Sequence, residues 1–137
     1  MHKPKLLTLI LLVTLAAGIL GAPAAADSST TFRVFAEVTS QHVAPHHTFV
    51  FHQRLVRPGD RDQVVGHDKV TCRRASGVCK EVAFFPGGKI KAKGRPGGPR
   101  LRFTIVGGTG VFKDVEGRVI SHHARTYNNP LTFILVR

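Results

Sequence analysis

The chain has 137 residues, 20 Lys and Arg against 8 Asp and Glu, a formal charge of +12 and two cysteines. That length holds one domain with a modest core and excludes a second. The charge excess favours anionic partners, such as nucleic acid, anionic lipid head groups, wall polymers or acidic small molecules, without choosing among them, and it carries no argument about fold.

Residues 1–26 have the order of a secretory leader: basic Lys3 and Lys5, an apolar or small run over 6–20, then small side chains up to Ala26. Ala22-Pro23-Ala24 and Ala24-Ala25-Ala26 both suit a signal peptidase, and we prefer the second, which starts the mature chain at Asp27. The competing reading is an uncleaved anchor, but the apolar stretch falls short of the roughly 20 residues that a spanning helix needs. No later segment is apolar enough to span. The expected product is therefore a soluble, secreted domain over 27–137.

From there on the side chains alternate with the two-residue period of strands and show no sustained helical stripe. Runs at 31–39, 48–56, 63–71, 78–85, 89–93, 100–105, 115–122 and 131–136 predict eight strands. In the first, Phe32, Val34, Ala36 and Val38 fall on one side and Arg33, Phe35 and Glu37 on the other, which makes Glu37 an exposed residue and a weak catalytic candidate. Gly59-Asp60, the insert between the cysteines, Pro86-Gly87-Gly88, 94–99, 107–110 and Asn128-Asn129-Pro130 punctuate the runs. Such short connections make successive strands antiparallel neighbours. An eight-stranded meander is best completed by closing on itself, because closure removes both edges. The expected fold is an all-β, eight-stranded antiparallel barrel, with a two-sheet sandwich as the alternative.

Cys72 and Cys79 lie in the exported part, where the redox compartment favours a disulfide over free thiols or a zinc pair lacking its other ligands. If they are cross-strand partners, Val70 faces Glu81, Asp68 faces Ala83 and Lys69 faces Val82. Period two then puts Asp68, Val70, Cys72, Cys79, Glu81 and Ala83 on one face and His67, Lys69, Thr71, Lys80 and Val82 on the other. Lysines seldom point into a small barrel, so Asp68 and Glu81 point inward as diagonal neighbours. Two carboxyls in an apolar cavity repel and share a proton, offering a general acid beside a general base. The opposing readings are an inverted face, or a solvated pair at the barrel mouth.

The basic outer face is a second feature. Lys89, Lys91, Lys93, Arg100 and Arg102 share the polar side of a hairpin around Pro96, joined by Lys69 and Lys80 if the cysteine register holds. This stripe reads either as a solvated exterior or as a surface that adsorbs an anionic polymer. No aromatic residue is expected among these charges, which argues against stacking on single-stranded bases. The histidines give no metal site: His122 and His123, as strand neighbours, point to opposite faces, and no spaced cysteine or carboxylate motif completes a ligand set. Tyr127 could supply a phenolic proton from a loop.

The stretch 85–94 carries a G-G-x-I-x-x-x-G strand from Gly87 to Gly94. Residues 106–112 carry V-G-G-T-G-x-F, and Gly117 and Val119 open the next strand. This order of motifs resembles the allene oxide cyclase and dirigent protein superfamily over about the C-terminal half of the mature chain. The resemblance implies a calycin-like barrel with a central apolar cavity and no cofactor, holding a hydrophobic or reactive small molecule and directing its cyclisation. The leader and cysteine pair look like those of exported bacterial barrels of this type. The N-terminal half matches no family pattern, so no family active-site residue is carried over. The alternative is a non-catalytic extracellular binding protein that uses the cationic exterior. A homo-oligomer is compatible with either. Gly107, Gly108 and Gly110 permit positive φ in a tight reversal, and Gly117 suits a barrel bend or close backbone approach. A phosphate loop is excluded, since the turn lacks the lysine and precedes a strand.

Overall fold

Eight runs of alternating side chains bury their apolar halves and leave no edge if the sheet curls until the last strand meets the first. The computed structural model, which describes residues 27–96, 100–123 and 128–137, has this form. Its strands are β1 (Ser29–Ala44), β2 (Thr48–Arg57), β3 (Asp60–Arg73), β4 (Val78–Phe85), β5 (Gly88–Pro96), β6 (Leu101–Gly108), β7 (Glu116–Ser121) and β8 (Asn128–Val136), with one 3-10 turn at Gly110–Phe112. Each pairs antiparallel with the next, and β8 closes on β1 from Ser29↔Val136 to Glu37↔Asn128. The leader, 97–99 and Tyr127 lie outside the described residues.

Inward positions make the core, among them Val34, Ala36, Leu55, Ala83, Ile90, Phe103, Val119, Leu131 and Phe133. Phe133 is fully buried, stacks on Phe32 at 4.9 Å and meets the edge of Phe85 at 5.4 Å. These rings plug the end of the barrel that carries the β2–β3 and β4–β5 turns.

The two glycine motifs press against each other there. The Val111 amide donates to the Gly87 carbonyl (3.0 Å) and the Thr109 amide to the Lys89 carbonyl (2.9 Å). A Cβ on Gly110, whose φ is +61°, would stand 1.9 Å from the Gly87 oxygen, and one on Gly117, φ +125°, 1.9 Å from the Ile134 oxygen. Positive φ is confined to Gly110 and Gly117 within the 107–117 segment apart from Asp114. Gly107 and Gly108 instead end β6, and Gly108 is needed because its Cβ would meet the Phe112 oxygen at 2.2 Å.

Two boundaries and one exposure differ from expectation. A register shift between Val38 and Ser40 lets β1 continue to Ala44 in place of ending at residue 39. Asn128-Asn129-Pro130 opens β8 and pairs with Glu37, Ala36 and Phe35, so turn-prone composition is overridden by tertiary pairing. Glu37 points outward, yet its side chain is only 14% exposed because it is held by Arg54 at 2.6 Å, with Arg61 at 3.9 Å.

Cys72 and Cys79 form a disulfide between directly opposed positions of β3 and β4. Closing so short a loop contributes about 2.5 kcal/mol by chain entropy, on the order of ten degrees in melting temperature. Reduction should lower the calorimetric midpoint by that amount while far-ultraviolet circular dichroism keeps its strand signal at 25 °C.

Candidate functional site

The β3–β4 register follows from the disulfide: Val70↔Glu81, Lys69↔Val82 and Asp68↔Ala83 flank Cys72↔Cys79. Lys69 and Lys80 are exposed on the outer wall, and Asp68 and Glu81 are inside at 3% and 2% exposure. Residue Gln53 of β2 lies opposite Asp68 and is buried as well. With its amide nitrogen turned toward Asp68, it donates to Oδ1 at 2.9 Å and Oδ2 at 3.2 Å. Neither oxygen of Glu81 has a well-formed hydrogen bond, and neither carboxyl has an ion-pair partner among the described residues.

Burial is the main cause that raises both carboxyls. It pushes Glu81 up to about 7, with interaction from Asp68 pulling partly the other way. Asp68 is held well above the usual carboxylate range by burial, then by the Glu81 charge and by side-chain hydrogen bonding with that group. The two titrate as a pair that retains a proton near neutrality. Such a pair can donate from one carboxyl and accept at the other.

Further along the interior, the Asn129 side-chain amide donates to Ser121 Oγ at 2.5 Å and its oxygen accepts from the His123 amide at 2.9 Å. Gln53 and Asn129 were not expected inside. Alternation with Leu55 on β2 carries a signal for Gln53, whereas Asn129 is masked by its turn-like neighbours.

At the plugged end, a cavity of about 350 Å³ has an apolar lining of Phe32, Val34, Val65 and Phe85, with Arg33, Arg57 and Gln63 around it. Asp68 and Glu81 do not line it: Phe85, Ala83 and Glu81 succeed one another inward on β4, placing Glu81 roughly 13 Å deeper along the strand.

On the outer wall, Lys91, Lys93, Arg100 and Arg102 are exposed and Lys89 is half-buried. Lys80 stands directly opposite Lys93, and Arg95 opposite Arg102. Like charges in these positions repel. Contrary to expectation, an aromatic does enter this face: Phe84 is 46% exposed and sits opposite Lys89, because inward Ala83 forces its neighbour outward. Among the described residues no group of three His, Cys, Asp or Glu side chains is arranged to hold a metal, and His122 instead meets Thr132 Oγ1 at 2.9 Å.

No family model matches the chain, and no curated protein matches it in sequence. Solved structures do. A pyocyanin demethylase superposes with a TM-score of 0.64 at 17% identity, over 79% of this chain and 100% of that one. A pterocarpan synthase dirigent protein superposes at 0.58 and 16% identity, over 84% and 92%. The barrel thus has the allene oxide cyclase and dirigent fold that its glycine motifs resemble.

A carboxyl raised by folding stabilises the protein fully below its unfolded value and loses that contribution as pH rises through its folded value. For Glu81 the window runs from about 4.5 to about 7 and is worth on the order of 3 kcal/mol. Urea unfolding across this range should show wild-type stability falling with pH relative to Glu81→Gln, which should gain most at pH 7–8. Parallel curves for the two proteins would show that Glu81 has an ordinary pKa.

Proposed function

We propose that this protein is an exported, cofactor-free barrel that takes a hydrophobic or reactive small molecule into its interior and uses Asp68 and Glu81 to direct its cyclisation. The observation that carries the reading is the carboxyl pair itself. Two adjoining acids lie buried in an apolar barrel with no cation pairing them among the described residues, an arrangement that costs stability and is poised for proton transfer. The named activities of the two structural neighbours, a demethylase and a pterocarpan synthase, concern small molecules and support a small-molecule role for this fold. The leader-like order of 1–26 and the disulfide support export.

In this reading the protonated carboxyl donates to a ligand oxygen as a carbon–oxygen bond to it breaks, a neighbouring π pair closes the ring onto the electron-poor system that is left, and the ionised partner takes the C–H proton whose electron pair restores a double bond. Gln53 holds Asp68 in place for either role. Glu81 has no solvent contact at its oxygens, so binding includes a rearrangement of the side chains that cover the pair. The surrounding apolar walls keep water from competing for the reacting centre.

Native mass spectrometry of the exported protein should reveal a co-purified apolar ligand. Cyclisation conserves mass, so ligand extracted from wild type and from Glu81→Gln should have equal mass and different chromatographic retention. A wild-type barrel that is empty and takes up no apolar probe would remove the reading.

A further inference from the structure

The eight carboxylates are distributed unevenly. Asp60 and Asp62 belong to the start of β3, Asp114 and Glu116 to the β6–β7 connection and Asp27 to the segment before β1, all at the plugged end. Glu37 is neutralised on the wall by Arg54, and Asp68 and Glu81 are inside. The opposite end, formed by the β1–β2 and β3–β4 turns and the ends of β5 and β7, has no described carboxylate. It carries exposed His46, His47, Arg73, Arg74, Arg95 and Arg100.

At this basic end the β1–β2 hairpin runs past the described pairing of β1 with β8 and is flanked by β3 up to Thr48↔Arg73. Described pairing of β1 with β8 stops at Glu37, while Ser40 to Ala44 pair with β2. Near its tip Val43 and Phe49 are directly opposed, 63% and 39% exposed, and share one face. The Arg74 amide donates to the His47 carbonyl at 3.3 Å, binding the arginine-bearing turn to this apolar tip. Apolar side chains in water, ringed by cations with no acid among them, suit an interface that is apolar beneath and anionic at its surface.

We infer that the basic end of the barrel docks on an anionic lipid bilayer, with Val43 and Phe49 entering the headgroup boundary and Arg73 and Arg74 meeting lipid phosphates. A linear polyanion would use the cations and leave the apolar pair in water. A second copy seated by the same end would bring the two basic collars together, against their mutual repulsion. The docked orientation leaves the plugged end and its acidic turns facing solution. This inference does not depend on the carboxyl pair or on any reaction in the barrel.

The test uses the exported protein and vesicles of phosphatidylcholine, alone or with about one third phosphatidylglycerol. Sedimentation should show binding only to the anionic vesicles, weakened at least fivefold by about 0.5 M salt. Val43→Ser with Phe49→Ser, and separately Arg73→Gln with Arg74→Gln, should each weaken it about tenfold, while Val111→Ser at the opposite end should leave it unchanged. The chain has no tryptophan, so Phe49→Trp supplies an independent reporter whose emission should shift to the blue on anionic vesicles, unlike that of Val111→Trp. Equal binding to neutral vesicles, no binding, or no shift at position 49 would overturn the inference. So would binding to heparin that the Val43 and Phe49 changes leave intact without any vesicle binding, or self-association through the hairpin in place of vesicle binding.

Discussion

The pairing of Cys72 with Cys79 determines which side chains of β3 and β4 enter the barrel, and most of the interior chemistry depends on it. A slip of β4 by one residue against β3 would turn Lys80 toward the core and carry Glu81 to the outer wall. The disulfide opposes that slip covalently at one end of the ladder. Apolar Ala83 and Phe85 oppose it along the rest of β4, since the slip would expose them. The same register that hides the carboxyls thus displays the lysines, so the protonating pair and the basic exterior are two faces of one constraint.

Hiding two acids has a cost that protonation reduces but does not remove. Gln53 donates to Asp68, while Glu81 faces no donor among the described residues other than a proton held between it and Asp68. A barrel selected for stability alone would gain from apolar residues at both positions. Around this exposed cost the rest of the fold is well satisfied: the aromatic plug of Phe32, Phe85 and Phe133 closes one end, and the glycine motifs lock the β4–β5 turn onto the 3-10 turn. The described cavity is lined by two rings of that plug, Phe32 and Phe85, and by neither Asp68 nor Glu81.

Much of this was legible in the sequence for a simple reason: strands have a period of two, and the two cysteines supplied one fixed point of register. From those came the eight strands, the barrel and the inward placement of Asp68 and Glu81. What escaped was decided by contacts distant in sequence. Asn129 looks like a turn residue beside Asn128 and Pro130, and only pairing with Ala36 and Ser121 draws it inside. The extension of β1 through Ala44 depends on a bulge that composition does not announce. Phe84 was assigned to no surface, although the register that buries Ala83 already required it to face outward beside Lys89.

The central claim is that Asp68 and Glu81 hold a shared proton inside the barrel at neutral pH. Carboxyl carbon NMR on uniformly labelled protein, titrated from pH 3 to pH 9, tests it most directly. The account predicts two coupled transitions displaced upward, with one of these two carboxyls still protonated near pH 7. Ordinary independent titration of both near 4 would contradict it.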